Sequence, residues 1–155
     1  MRPVETRMDD NTLWDIRAFV YRHFADTARA PSVKETANAF ALTHEEAASA
    51  YQALHARHAF FLKSRTYDIL MANPFSNIET PFRVHADGKT YFANCAWDSL
   101  GIPAALRRDA DVEAACAHSG ETIMLQVRDG QVAESDLLVH FLIPFEHWYD
   151  DLVFT

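Results

Sequence analysis

Apolar residues recur at three- and four-residue steps near the start of the chain, which predicts an amphipathic helix. Its apolar face is formed by Leu13, Ile16, Val20 and Phe24. Two capping boxes follow, in which a serine or threonine hydroxyl accepts a hydrogen bond from a free backbone amide and a glutamate reaches back. The boxes begin at Ser32 and Thr43 and predict helices through about Ala41 and Arg57.

Apolar and β-branched residues between positions 60 and 70 predict a β-hairpin after the third helix. Three helices followed by a β-pair are typical of a winged helix. The third helix begins with two glutamates and offers only Gln52 and Arg57 as base readers. Acidic side chains repel phosphate, so we interpret residues 1–70 as a winged-helix-like helical module with a structural role. A DNA-binding regulator acting through residues 32–58 is an alternative.

The rest of the chain predicts a β-rich core over residues 82–155. The Asp87-Gly88 pair is a strong hairpin signal between two strands. Strands are expected at 82–84, 90–93, 122–127, 139–144 and 152–154. Short helical turns are expected at 94–100, 103–106 and 111–116. A linker with two prolines is expected at 71–81. The predicted fold class is therefore α+β, with the helical module packed on a small mixed-β core.

Composition narrows the class of protein without naming an activity. The 155 residues are 49% hydrophobic and 23% charged, as in a globular chain of one domain or two very small ones. The net charge of −8 arises entirely from residues 71–155, which hold 5 Lys+Arg and 13 Asp+Glu. This balance argues against non-specific nucleic-acid binding.

Targeting signals and disulfides are not expected either. No apolar run approaches the roughly 18–20 residues of a membrane helix, and residues 1–14 lack the apolar stretch of a secretion signal. Two cysteines do not make a disulfide framework. A cytoplasmic protein with reduced thiols, and no membrane partner, is therefore expected.

The most informative local stretch contains Cys95 and Asp98. Cys95 is predicted at a strand-to-helix junction, where free amides and the positive helix end favour the thiolate. Asp98 follows three residues later, so a helix places it on the same face. A thiolate beside a carboxyl suits a nucleophile with a proton donor, or a soft metal with a proton relay. An unpaired cysteine is also often a small buried hydrophobic residue, and the spacing alone leaves both readings open.

The segment 90–103, with its Cys95-Ala-Trp-Asp98 motif, resembles the core of the alkylmercury (organomercurial) lyase family. That family reads Tyr-Ala-Trp-Cys-Ala-Leu-Asp-Thr-Leu over the equivalent stretch. The resemblance continues through residues 115–120 and 138–144, and it is specific from about residue 82 to residue 144. The family also has a winged-helix-like module before this lyase core, which is similar to the arrangement predicted here.

The resemblance implies a chemistry for the two matching residues. Cys95 and Asp98 would act with a second, distant cysteine to cleave a carbon–mercury bond. The thiolates would take up the soft metal, and the carboxyl would help to deliver a proton to the departing carbon. The cysteine that matches Cys116 is structural in the family. The resemblance implies no added cofactor. Mercury would be bound only transiently, as a soft metal, and small thiols would remove the mercury product.

This sequence departs from the family at the second catalytic cysteine. In the family that residue lies in a Phe-Cys-Cys-His-type segment near the end of the core, which corresponds to residues 147–155 here. Tyr149 takes the place of the catalytic cysteine and Asp150 that of its neighbour. Tyr149, Asp150 and Asp151 would then form an acid/base or polar binding wall.

The sequence therefore predicts a divergent organomercurial-lyase-like enzyme. It would cleave a carbon–metal or carbon–heteroatom bond of a small organic substrate. Cys95 would be the nucleophile, Asp98 the proton donor and Tyr149 the third catalytic candidate. Cys95 and Asp98 would also hold a soft metal, if one binds. The alternative is a non-catalytic protein that binds a small ligand or a soft metal, or acts as a regulator, on the same fold. Small thiols are expected partners, nucleic acid is not, and a monomer or a homodimer fits equally.

Overall fold

The computed structural model describes residues 8–116, 118–141 and 143–150. Four α-helices and eight β-strands lie within these residues, which confirms the α+β class. The chain divides into two compact units between Ala72 and Asn73. No helix in these described ranges has both the length and the hydropathy that crossing a membrane requires.

The first unit begins with three helices whose starts are fixed by local hydrogen bonds. They are α1 (Asp10–Thr27), α2 (Val33–Phe40) and α3 (His44–Ala56). Both predicted capping boxes are present, with the Ser32 and Thr43 hydroxyls accepting from the backbone amides of Glu35 and Glu46. Each glutamate in turn accepts from the backbone amide of its cap residue, which confirms both predicted helix starts.

The core of this unit contains the predicted face of α1 and one buried tyrosine. The apolar face is at most 2% exposed and consists of Leu13, Ile16, Val20 and Phe24. Tyr51 of α3 is fully buried, and its ring lies 5.2 Å from that of Phe60 in an edge-to-face contact. The Tyr51 hydroxyl donates to the carbonyl of Pro31 at 3.1 Å and pairs with the Thr36 hydroxyl at 2.7 Å. Burial raises the pKa of Tyr51 to about 12.

We expect Tyr51→Phe to lower the free energy of unfolding by about 1–2 kcal/mol, because two buried hydrogen-bonding groups lose their partner. Urea denaturation measures this loss. Tyr67→Phe is the matched control, since Tyr67 is 42% exposed and should tolerate the same change. Equal stabilities of the two variants would show that the buried hydroxyl contributes nothing.

The first unit ends in an antiparallel pair of strands, β1 (Phe61–Leu62) and β2 (Ile69–Ala72). The predicted hairpin is thus confirmed, and the order of elements is three helices followed by a β-pair. The winged-helix assignment itself stays a prediction.

The second unit is built on an antiparallel sheet. Its strands are β3 (Phe75–Ser76), β4 (Arg83–Ala86), β5 (Lys89–Ala93), β6 (Ala110–Ala115), β7 (Thr122–Arg128) and β8 (Gln131–Val132). The order across this unit is β3-β5-β4-β6-β7-β8. Each of these neighbouring pairs is antiparallel, where a mixed sheet was expected. The predicted hairpin between β4 and β5 is confirmed, with Asp87 and Gly88 both at positive φ.

One continuous helix, α4 (Ala96–Leu106), replaces the two short helical turns expected at 94–100 and 103–106. Gly101 was interpreted as a helix end, but a Cβ on it would lie 3.2 Å from the Cβ of Pro74. The glycine therefore allows a close approach between the helix and residue 74. Pro103 costs the helix one backbone hydrogen bond, and its side chain is instead buried beside Ile102.

Three further local expectations differ from the structure. The helical turn expected at 111–116 is strand β6, in which alternate residues Ala110, Val112 and Ala114 are buried. Alanine content suggested a helix there, but the burial has the two-residue period of a strand. The described residues of 139–144 contain no strand, and residues 152–154 lie outside the described ranges. The segment 71–81, expected as a linker, contains β3 with Phe75 buried.

Candidate active site

Cys95 lies where β5 gives way to α4, and it caps the N-terminus of that helix. Its backbone is extended (φ −152°), as is usual for a capping residue. The Cys95 Sγ accepts a hydrogen bond from the backbone N–H of Asp98 at 3.4 Å. A sulfur therefore occupies the place that a serine or aspartate oxygen usually takes at a helix start, and the cap fixes its position.

Asp98 lies in the first turn of α4 and faces the same thiol. Its Oδ2 accepts a hydrogen bond from Nδ2 of Asn94 at 3.1 Å. The hydrogen bond from the Asp98 backbone N–H to Sγ places the two residues side by side at the start of α4, and we call Cys95 and Asp98 the thiol–carboxyl pair.

Burial dominates the electrostatics of this pair. Burial raises the pKa of the Cys95 thiol, and the hydrogen bond from the Asp98 backbone N–H only partly opposes this effect. Burial also raises the pKa of the Asp98 carboxyl, against hydrogen bonds from Asn94 and Cys95 that favour its charged form. The expectation that the helix start favours a thiolate at Cys95 is therefore wrong for the protein alone, because loss of solvent outweighs the amide.

The other cysteine has the opposite electrostatics. Cys116 follows β6 in a tight turn, where the backbone N–H of Gly120 donates to its carbonyl at 2.8 Å. The side chain and backbone N–H of Ser119, with the N–H of His118, lower the pKa of the Cys116 thiol. Donors that face a sulfur stabilise its thiolate.

We expect Cys116 to react with iodoacetamide before Cys95 at neutral pH, because the thiolate is the reactive form and its pKa is lowered only at Cys116. Mass spectrometry of the two peptides after timed labelling measures both rates. The variants Cys95→Ser and Cys116→Ser assign each rate to one thiol. Faster labelling of Cys95 would contradict the argument from burial.

Asn94 is a polar residue of this site that the sequence interpretation missed. Besides Asp98, its Nδ2 lies 3.1 Å from Oδ1 of Asn73 and 3.4 Å from the carbonyl of Phe75. Its own Oδ1 is buried and has no hydrogen-bond partner among the described residues. The only signal in the sequence is its position directly before Cys95.

Five aromatic rings run from the site to the C-terminal segment, and we call them the aromatic ladder. In order of contact they are Trp97, Phe141, Trp148, Phe145 and Tyr149. The Trp97 and Phe141 ring centroids are 6.3 Å apart, and Phe141 stacks on Trp148 at 5.1 Å. Trp97 is 58% exposed although it lies between Cys95 and Asp98 in the sequence. The ladder therefore forms an exposed apolar surface that begins at the first turn of α4.

Tyr149 lies at the far end of this ladder. Its ring centroid is 6.4 Å from that of Phe145, and half of the residue is exposed. Asp150, its neighbour, forms an exposed pair with Nδ1 of His147 at 3.0 Å. Asp151 lies outside the described residues. Within the described ranges, no group of three or more His, Cys, Asp or Glu side chains could hold a metal ion, so Cys95 and Asp98 would offer one sulfur and one carboxylate.

Comparisons with known proteins agree on one family. The family model described as alkylmercury lyase matches residues 75–154, just over half of the chain. The alkylmercury lyases of Bacillus cereus and Clostridium butyricum are each 38% identical to the chain over 55 residues. Those residues are 36% of this chain, and they span only a quarter (25%) of either relative's length.

A solved structure extends the likeness to the fold. The crystal structure of the mercury-bound form of MerB2 matches with a TM-score of 0.64 and 25% sequence identity. The match covers 84% of this chain and 62% of that one.

Proposed function

Because the chain belongs to the alkylmercury lyase family, we propose that it cleaves the carbon–mercury bond of small organomercurials with Cys95 and Asp98. The observation that carries the proposal is the position of both residues at the start of α4, where Sγ of Cys95 accepts a hydrogen bond from the backbone N–H of Asp98 with 3.4 Å between the nitrogen and the sulfur. A soft sulfur that takes up mercury and an acid that protonates the carbon are two of the groups that this reaction needs. The family resemblance adds that these two residue types occupy the matching positions.

The proposed reaction starts with a proton transfer inside the pair. Cys95 loses its thiol proton to Asp98 as its sulfur bonds to mercury, and the thiolate that came with the substrate leaves with the electron pair of its own mercury–sulfur bond. The protonated Asp98 then delivers that proton to the carbon as the carbon–mercury bond breaks. The products are the hydrocarbon and mercury held on Cys95. Burial suits this sequence, because a group with a raised pKa keeps the proton until the carbon can take it.

A small external thiol is proposed as the second sulfur. The family resemblance matches Tyr149 to the family's second catalytic cysteine. A phenol is a poor ligand for a soft metal. An external thiolate would therefore bind mercury alongside Cys95, and a second one would remove it and regenerate the enzyme.

The aromatic ladder supports an apolar organic group on the substrate. Exposed rings bury apolar surface when an apolar ligand binds them, and Trp97 lies in the same first turn of α4 as Asp98. Trp97 and Phe141 are 58% and 43% exposed, so both can contact such a group. Tyr149 would form the end of the aromatic ladder farthest from Trp97.

Release of hydrocarbon tests the proposal. The protein is incubated with phenylmercury or methylmercury and an excess of small thiol, and benzene or methane is measured. Release that exceeds the thiol-only blank and scales with protein supports the lyase. Release at the level of the blank for both compounds would refute it.

Soft-metal binding without turnover is a second candidate, because the Cys95 sulfur can hold a soft metal whether or not a proton reaches the carbon. Such a protein would retain the intact organomercurial on Cys95. Mass spectrometry of the same incubation separates the two functions: an intact organomercury adduct with no hydrocarbon supports binding alone.

The helical unit is proposed as a winged-helix-like module with a structural role. Glu45 and Glu46 lie in the first turn of α3. There the helix dipole stabilises their negative charges, which would repel the phosphates of DNA. DNA retention at low salt would favour the alternative of a regulator.

A further inference from the structure

We infer that Asn94 is a positioning residue that holds the Asp98 carboxyl in the orientation needed for proton transfer with Cys95. The inference rests on the proposed function. Asn94 links the last residue of β5 to the cap of α4, so its backbone is held by two regular elements. Its Nδ2 lies 3.1 Å from Oδ2 of Asp98.

The orientation of the Asn94 amide is set by its neighbours. Three acceptors surround Nδ2: Oδ2 of Asp98, Oδ1 of Asn73 and the carbonyl of Phe75. An amide nitrogen has two hydrogens, so it can satisfy two of these acceptors well at one time. The opposite amide orientation would place an oxygen against three oxygens. Asn94 therefore acts as a donor in this site.

An unsatisfied oxygen accompanies this arrangement. The Oδ1 of Asn94 is buried without a hydrogen-bond partner among the described residues. A buried carbonyl without a partner is unfavourable. The amide is nevertheless kept next to the pair, which indicates that its donor end, and not its acceptor end, is used.

The hydrogen bond from Asn94 gives the two carboxyl oxygens of Asp98 different roles. Oδ2 of Asp98 is held by Asn94, and residues 73–75 hold Asn94 in turn. The carboxyl can then rotate little about its side-chain bonds. Its other oxygen, Oδ1, stays available to exchange a proton with the Cys95 thiol. Without Asn94 the carboxyl could still donate a proton, but its orientation would no longer be fixed. We therefore expect kcat to fall while KM changes little.

Kinetics of hydrocarbon release test this division. We expect Asn94→Ala to lower kcat by about tenfold to a hundredfold, the usual effect of losing a hydrogen bond to a charged group, with KM unchanged. Asn94→Asp has the same size but no donor and should lose more. Asn94→Gln keeps the donor and should recover part of the rate. Asn38→Ala, at an exposed position of α2, is the matched control.

A second measurement does not depend on activity. In the wild-type protein the side-chain NH2 protons of Asn94 should exchange with solvent more slowly than those of Asn38 in NMR spectra. Their resonances should shift in Asp98→Ala, because one acceptor is removed. If the wild type releases no hydrocarbon, the proposed function fails, and this measurement still shows whether Asn94 holds the Asp98 carboxyl.

Two results would overturn the role of Asn94. One is that the wild type releases hydrocarbon and Asn94→Ala has the same kcat. The other is exchange of the Asn94 side-chain protons as fast as those of Asn38. Loss of kcat and slow exchange together would support it.

Discussion

Replacing Cys95 with serine is expected to abolish hydrocarbon release, with a loss of at least about a thousandfold, as for other essential nucleophiles. Mercury is a soft metal that binds sulfur far better than a hydroxyl oxygen. The serine hydroxyl would keep the cap of α4, because serine is a favoured N-cap residue. The folded structure should therefore survive while the chemistry is lost. Gas chromatography of benzene released from phenylmercury measures the rate.

The matched control for this variant is Cys116→Ser. Cys116 lies in the turn after β6, away from the start of α4 in the sequence, and the family resemblance assigns it a structural role. We expect this variant to retain the wild-type rate. A fall in both variants would show that the two sulfurs act together on mercury. Full activity in Cys95→Ser would show that the thiol–carboxyl pair is not the reacting site.

The features that follow from short-range rules could be predicted from the sequence. The capping boxes at Ser32 and Thr43 are closed within four residues, and the turn at Asp87-Gly88 needs only the positive φ that these two residues tolerate. The contact between Cys95 and Asp98 is of the same kind, since three-residue spacing at a helix start is enough to bring them together.

The features that depend on distant neighbours could not be predicted. Gly101 looked like a helix end because its close approach to Pro74 is a tertiary contact. The strand β6 is rich in alanine, and only its pairing with β4 and β7 makes it extended. Propensity is a weak guide where such packing decides.

The same limit applied to the site. A helix start alone favours a thiolate at Cys95, but burial reverses the direction of its pKa shift. The role of Asn94 depends on Asn73 and Phe75, which lie about twenty residues earlier in the chain. The aromatic ladder likewise needs the C-terminal segment to reach Trp97.

The pKa directions bear on where the reaction finds its proton. Both pKa values of the pair are raised, so the Cys95 thiol keeps its proton at neutral pH. Mercury would displace that proton on binding to sulfur, and Asp98 is the neighbouring group that can receive it. The pair would thus store the proton that the carbon needs, without taking one from solvent.

Replacing Asp98 with asparagine is expected to separate mercury uptake from bond cleavage. Asparagine has nearly the same shape but cannot carry the proton, so hydrocarbon release should fall by about 10²–10⁴-fold, the usual contribution of a general acid. Cys95 should still bind the organomercurial, because its sulfur is unchanged. Mass spectrometry should therefore detect an intact organomercury adduct on Cys95, which the wild type converts to hydrocarbon within the same time.

The control for this variant is Asp136→Asn, an exposed carboxylate of the second unit, which should keep the wild-type rate. Two outcomes would contradict the assignment of Asp98. Wild-type release from Asp98→Asn would mean that another group, or water, protonates the carbon. Failure of Asp98→Asn to form the adduct, in a variant whose circular dichroism is unchanged, would mean that Asp98 is needed to take up mercury. Adduct formation with slow release is the result that a proton donor beside a soft sulfur requires, because uptake uses the thiol and cleavage uses the acid.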